Sequence, residues 1–281
     1  MERFEMDVVN ACKMIDGDDV DESYYNKIYM SSNESLKNLF LNFDISLKDV
    51  LTVLGSSDQL FYSYLNGAKR VDCFDINVLA RHYYYLRKWS IDYLGMYYPP
   101  DSFLKSHLWI YNLLSLVTCG SEEEEESFSF WKLFIARSLG CDNKSLFFVG
   151  KGDYNTVSDL HNLKCALKTY PFRFYHQDLS MPLSFDDKYD VIIISNILEY
   201  LSKPEQIQQC CFNLRKLLKE DGLVVCSYVM NKPNSFHSQS EKELFCDSFD
   251  FIPYDSYYTS EYGFQFPTGY AYKKKKSVHK K

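Results

Sequence analysis

Between residues 50 and 77 the chain reads VLTVLGSSDQLFYSYLNGAKRVDCFDIN, and its apolar and polar positions spell strand, tight turn, helix, strand. Residues 50–54 form a short apolar run of the kind a buried parallel strand shows, and Gly55 stands where the chain leaving such a strand must turn sharply. Ser56, Ser57 and Asp58 are good helix N-cap types, so a helix is predicted to begin near Asp58 or Gln59. Leu60, Phe61, Tyr64 and Leu65 recur at helical spacing, and Asn66-Gly67 is a suitable stop before residues 71–74 resume as a strand. Asp75 closes that second strand.

Upstream, the first 48 residues read as an N-terminal helical lead-in or lid, with Ser31 or Ser32 placed to cap a helix and Glu34 or Ser35 in its first turn. Downstream, NVLARHYYYLRKW reads as the helix after the second strand. Its Tyr83-Tyr84-Tyr85 step around the axis by about 100° per residue, which predicts that part of the cluster packs and part is exposed. An insertion at 90–139 follows, with YYPPD, a helix in HLWIYNLLSLV, the five-glutamate run and a second helix in FSFWKLFIARSL. TVSDLHNLKCAL is a further helix, and 172–175 a third strand ending in HQD. Residues 191–195 are almost purely apolar, as in a strand covered on both faces. A helix over 203–219, opened by Pro204-Glu205 and closed by Asp221-Gly222, leads to a fifth strand at 222–228. Weak strands at 249–252 and 269–273 are expected to be antiparallel sixth and seventh strands.

This order predicts an α/β fold with a Rossmann-like, mostly parallel, doubly wound sheet flanked by helices and a helical insertion after the second strand. The expected organisation is a lead-in at 1–48, a nucleotide-binding domain at 49–230 containing the insertion at 90–139, completing strands at 231–272, and a basic tail at 273–281.

Ligands of such sheets lie outside the carboxyl ends of the strands, which gathers residues 55–58, 75–77, 178–179 and 195–200 as candidates. Asp75 follows Gly55 by twenty residues and is suited to accept both hydroxyls of a ribose. A dinucleotide fingerprint needs G-x-G-x-x-G so that the backbone approaches a pyrophosphate, and GSSDQ has one glycine. No G-x-x-x-x-G-K-[ST] occurs either. A nucleoside ligand without phosphate needs only the turn and the ribose hook, and S-adenosylmethionine fits.

With these pieces in order, the chain resembles the class I S-adenosylmethionine-dependent methyltransferases. VLTVLGSSDQ resembles their first motif, VDCFDIN their second, HQDLSMPL the loop after strand three, YDVIIISNILEYL the fourth-strand motif and LRKLLKEDGLVVCSY the helix and fifth strand that follow. The resemblance implies cofactor contacts from Gly55, Ser56, Ser57, Asp58, Asp75, Ile76 and Asn77, with Asp75 on the ribose. It implies that Asp178 accepts from the adenine amino group with Leu179 beside it, and that Ser195 or Asn196 orients the amino acid arm or the acceptor. Asn77 is equally suited to cap a helix. Tyr29 and Ser31 are lid candidates, and Glu199 and Tyr200 are suited to act as a base or an aromatic wall. GSSDQ, FDIN and SNI-x-x-YL also echo the aminocarboxypropyl transferases of betaine-lipid synthesis, which use the same cofactor.

The implied function is a methyltransferase acting on a small-molecule or lipid-like acceptor, with aminocarboxypropyl transfer or a non-catalytic binding or scaffold role as alternatives. The site reads SNIL and lacks the [DN]-P-P-[YFW] of methyltransferases acting on DNA or protein amides, which disfavours that substrate class; methyl transfer asks little acid–base chemistry of the protein, so no catalytic residue is assigned. The formal charge of −7 disfavours a broad DNA or RNA surface. The lysine-rich end suits a solvated tail or contact with an anionic surface. Nine cysteines and six histidines show no ligand spacing, so no metal site is expected. The N-terminus lacks an apolar signal core and no apolar run is long enough to span a bilayer, which points to a cytoplasmic protein. The 24 tyrosines and 21 phenylalanines suit a coding bias as well as a function.

Overall fold

The structure is a computed structural model that describes residues 2–22, 24–32, 36–41, 43–98, 112–138, 147–148, 157–201, 203–227, 247–252, 257–259, 265–267 and 269–274. In chain order its first elements are α1 (Arg3–Asp16), β1 (Ile28–Tyr29), α2 (Leu36–Leu41), β2 (Asp49–Val53), α3 (Asp58–Leu65), β3 (Arg70–Asp75) and α4 (Val78–Trp89), which runs into a π-helical turn (Ser90–Leu94). Then come α5 (Glu122–Arg137), β4 (Phe147–Phe148), α6 (Val157–Thr169), β5 (Arg173–His176), β6 (Tyr189–Ser195), a 3-10 turn (Ile197–Tyr200), α7 (Pro204–Leu217) and β7 (Leu218–Ser227). The last strands are β8 (Phe249–Ile252), β9 (Tyr257–Thr259), β10 (Gln265–Pro267) and β11 (Gly269–Lys274).

Seven strands form one sheet in the order β5-β3-β2-β6-β7-β11-β8. β2 pairs in parallel with β3 on one side and β6 on the other, and β6 pairs in parallel with β7. Counting only these strands, the order is 3-2-1-4-5-7-6, the doubly wound 3-2-1-4-5-6 arrangement with one strand entered between the last two. That strand is β11, antiparallel to both β7 and β8. The expectation of two reversed strands is therefore corrected: β11 alone runs against its neighbours, so β8 points the same way as β7. The chain turns to opposite sides of β2 on its way to β3 and β6, and this makes the carboxyl end of β2 the switch point.

The chain divides into two compact units: residues 1–33, 54–58 and 75–171 form one, and 34–53, 59–74 and 172–281 the other. The sheet unit has its core in Leu51, Phe74, Ile192, Ile194 and Val224 together with the apolar face of α7. That face is Ile207, Cys210, Cys211, Leu214 and Leu217, the i, i+3, i+4, i+7 repeat that an amphipathic helix requires. The turn expected at Asp221-Gly222 exists in another form. β7 begins directly after α7, and the excess residues are taken up as a bulge, because Tyr189 pairs with Leu218 and Val191 with Leu223. Gly222 is needed inside it, since a Cβ there would come within 2.8 Å of Leu218 Cδ2 and 3.2 Å of the Asp190 carbonyl.

The helical unit is built on α1, α4 and α5, whose Val8, Ala11, Leu79, Leu86, Trp131 and Phe134 share one core. Ser121 caps α5 by accepting from the Glu124 N–H, so the glutamate run is the first turn of that helix, where carboxylates meet the positive end of its dipole. α4 is buried along nearly its whole length. Tyr83, Tyr84 and Tyr85 are all buried, against the expectation that part of the cluster is exposed. α2 is described from Leu36, and the first turn expected at Glu34 or Ser35 lies outside the described residues. The first five residues of HLWIYNLLSLV, residues 231–246 and the tail beyond Lys274 lie outside the described residues.

Candidate functional site

The turn after β2 starts the site. Its Gly55 has φ 47°, and Ser57, whose N–H donates to the Leu54 carbonyl at 2.6 Å, has φ 71°. A serine thus holds a left-handed conformation normally left to glycine, which costs about 1 kcal/mol or more. The sequence shows one glycine here, but the backbone keeps a second glycine-like position.

Asp75 is fixed against this turn. The Gly55 N–H donates to its Oδ2 at 2.8 Å and the Asn77 N–H to its Oδ1 at 2.9 Å. Two backbone donors set the plane of the carboxylate, and an ionised carboxylate offers about four acceptor positions. Asn77 caps α4, its Oδ1 accepting from the Leu79 N–H at 3.1 Å while its Nδ2 donates to the Asn26 carbonyl at 2.9 Å. Ile76 between them is exposed.

Asp58 is committed within the protein. Its Oδ2 accepts from the Ser32 N–H at 2.5 Å and the Ser56 hydroxyl at 2.9 Å, and its Oδ1 from Arg87 Nη1 at 2.5 Å. Arg87 lies on α4 and is fully buried, as is Asp58. Sequence reasoning missed this arginine. The available signal was its company: Tyr83, Tyr84 and Ile91 stand one helical turn away, so a charge at 87 faces an apolar side and needs a buried partner.

The segment before the turn is held in the same unit. Tyr29 pairs with Phe148 in the short β1–β4 ladder, and the next carbonyl, of Met30, accepts from Tyr83 Oη at 2.9 Å. Ser31 Oγ and Ser57 Oγ are buried with no hydrogen-bond partner among the described residues. Orphaned buried hydroxyls are costly, and two in one unit with the Asp58 cluster suit a site completed by a polar ligand.

The structure joins Gly55, Ser56, Ser57, Asp58, Asp75 and Asn77 through these contacts, all within the helical unit. Asp178, Leu179, Ser195 and Asn196 belong to the sheet unit and are described there alone. Asp178 Oδ1 accepts from the Ser180 N–H at 2.7 Å. Asn213 Nδ2 donates to the carbonyls of Leu179 and Met181 at 2.8 and 2.7 Å, fastening this loop to α7. Ser195 ends β6 at φ 52°, and its hydroxyl donates to Asn196 Oδ1 at 3.3 Å. Tyr200 is exposed, and the side chain of Glu199 lies outside the described residues. Among the described residues no group of three histidine, cysteine or carboxylate side chains is placed to hold a metal ion, and no helix is long and apolar enough to cross a membrane.

No protein-family model matches the chain. No curated protein matches it either. Among solved structures it is similar to the N-methyltransferase NodS of Bradyrhizobium japonicum bound to S-adenosyl-L-homocysteine, with TM-score 0.42 and 8% identity over 86% of this chain and 84% of that one. A TehB-like S-adenosylmethionine-dependent methyltransferase of Corynebacterium glutamicum gives TM-score 0.44 and 10% identity over 96% and 100% of the chains. The glycopeptide N-methyltransferase MtfA gives 0.43 and 10% over 87% and 95%. At such identities a likeness says nothing about substrate.

Proposed function

We propose that this protein is an S-adenosylmethionine-dependent methyltransferase acting on a small-molecule or lipid-like acceptor. The observation that carries the reading is Asp75, a carboxylate at the end of β3 oriented by the Gly55 and Asn77 N–H groups beside a turn with a single glycine. That combination suits a ribose and lacks a pyrophosphate cradle. The unpartnered hydroxyls of Ser31 and Ser57 fit the polar amino acid arm of the same cofactor. The parallel part of the sheet, β5-β3-β2-β6-β7, has the doubly wound order expected of a Rossmann-like fold.

S-adenosylmethionine, when bound, supplies an electrophilic methyl carbon on a sulfonium. Transfer from it asks little acid–base chemistry of the protein, whose residues hold the acceptor in line and exclude water. Asp75 orients the ribose. Asp178, with Leu179, is assigned to the adenine, and Ser195 and Asn196 to the arm or acceptor, on the strength of the motifs. The 90–139 insertion carries exposed Tyr93, Met96, Leu113 and Leu116, apolar surface that an acceptor of the lipid-like kind could use.

Calorimetric titration with S-adenosylmethionine tests this reading. Wild type is expected to bind saturably, and Asp75→Ala to lose about 1.5–3 kcal/mol, roughly ten- to a hundredfold in affinity. Absence of saturable heat from wild type refutes the reading, and unchanged affinity in the variant removes the ribose hook. Chromatography of spent cofactor is expected to yield S-adenosylhomocysteine; methylthioadenosine would instead establish aminocarboxypropyl transfer.

A further inference from the structure

Arg87 makes four contacts that no sequence motif announces. Its Nη1 donates to the Ser56 carbonyl and to Asp58 Oδ1, both at 2.5 Å, and its Nε donates to the Tyr97 carbonyl at 3.0 Å. The guanidinium carbon lies 4.4 Å from the centre of the Tyr98 ring. One buried side chain therefore grips the turn after β2 and also the first residues of the insertion. The π-helical turn that follows α4 adds to the second grip, since Ser90 Oγ donates to the Tyr98 carbonyl at 3.0 Å.

We infer that Arg87 is a positioning residue that replaces the missing glycines of the turn. In a glycine-rich turn the backbone reaches its ligand-binding shape because glycine tolerates it. Here Ser57 resists that shape at φ 71°, and something must hold it there. Arg87 does so from one side through Ser56 and Asp58, and the Ser32 N–H does so through the other oxygen of Asp58. A planar fork fits this task where an ammonium does not, because it reaches a carbonyl, a carboxylate and an aromatic face at once. The same guanidinium ties the turn to Tyr97 and Tyr98.

The inference rests on the ligand reading above, and its test separates the two. Arg87→Met, Arg87→Lys and Asp58→Asn are titrated with S-adenosylhomocysteine, and amide hydrogen exchange is followed at residues 55–59. Arg87→Met and Asp58→Asn are each expected to raise Kd at least tenfold and to speed exchange at 55–59 while the amides of β2 stay protected. The double variant is expected to bind no worse than the weaker single one, and lysine to rescue only partly. A merely stabilising ion pair would lower the melting temperature and leave Kd and local exchange unchanged, which overturns the inference. If wild type shows no binding, the ligand reading falls, and exchange at 55–59 still decides the positioning role. Should Arg87→Met fail to fold, the near-isosteric Asp58→Asn carries both measurements.

Discussion

Ser57 shows how one side chain can serve a ligand at the expense of the free protein. Its φ of 71° is strained for any residue with a Cβ, and its buried hydroxyl has no partner among the described residues. Replacing it by glycine relieves both costs, offset in part by the greater freedom of glycine in the unfolded chain. Ser57→Gly is therefore expected to leave stability unchanged or raise it by up to about 1 kcal/mol in urea unfolding, while weakening S-adenosylhomocysteine binding in titration. Ser57→Val, branched at Cβ, is expected to lose about 2 kcal/mol. A glycine variant that is less stable and binds as tightly would refute the assignment. The serine was visible in GSSDQ, but its conformation was not, because it is imposed by the Ser57 N–H bond to the Leu54 carbonyl and by contacts from Ser32 and Arg87.

At the scale of elements, α1, α4 and α5 are joined by a polar cluster inside their apolar core. His82 on α4 places Nε2 2.9 Å from Asp7 Oδ2 on α1 and Nδ1 2.9 Å from Ser127 Oγ on α5. Tyr25 Oη donates to the other Asp7 oxygen at 2.8 Å. The spacing is that of a serine nucleophile with its base, but Ser127 and His82 are fully buried, so no substrate reaches the hydroxyl and the cluster is structural. Burial, outweighing the hydrogen bond to Asp7, holds the His82 imidazole below the usual histidine range. It is then neutral, with Nε2–H donating to Asp7 and Nδ1 accepting from Ser127. Burial pushes the Asp7 carboxyl up, but the bonds from His82 and Tyr25 bring it below its ordinary value. Other charges facing the imidazole are Arg81 and Glu126, which are themselves paired at 2.6 Å.

For both His82 and Asp7 the folded state binds protons less readily than the unfolded chain, so stability is present at neutral pH and is lost on acidification. The histidine share is expected to appear first, as pH falls below the unfolded value of 6.5. Each further unit there costs up to about 1.4 kcal/mol. The aspartate share follows only below 3.8. Urea midpoints compared at pH 7.5 and 5.5 should fall more steeply in wild type than in His82→Gln; equal slopes would remove the cluster from the pH response. Such pairing was not readable from the sequence, since His82 and Asp7 are 75 positions apart and nothing local distinguishes them. By contrast, β2, β3, β6 and α7 were legible because their apolar patterns are local: an all-apolar run for a strand covered on both faces, a 3.6-residue repeat for a helix covered on one.

For the whole molecule, each compact unit is assembled from separate stretches of the chain. The helical unit takes residues 1–33, 54–58 and 75–171, and the sheet unit everything between and after. Its middle piece is only the turn after β2, with sheet-unit residues on either side in the chain, and β3 passes into α4 through Asp75, Ile76 and Asn77 without a linker. The chain crosses between the units five times, at 33/34, 53/54, 58/59, 74/75 and 171/172, so neither unit is one continuous stretch that could unfold as a separate length of chain. We therefore expect one cooperative transition. Trp89, Trp109 and Trp131 all fall within 75–171, so tryptophan fluorescence reports the helical unit, while far-ultraviolet circular dichroism reports both. The two probes are expected to give coincident urea midpoints. S-adenosylhomocysteine at a hundred times its Kd should move both together, by about 2.7 kcal/mol. A fluorescence midpoint below that of circular dichroism, with a second dichroism step above it, would show instead that the helical unit opens by itself and that the repeated crossing of the chain does not couple the two units.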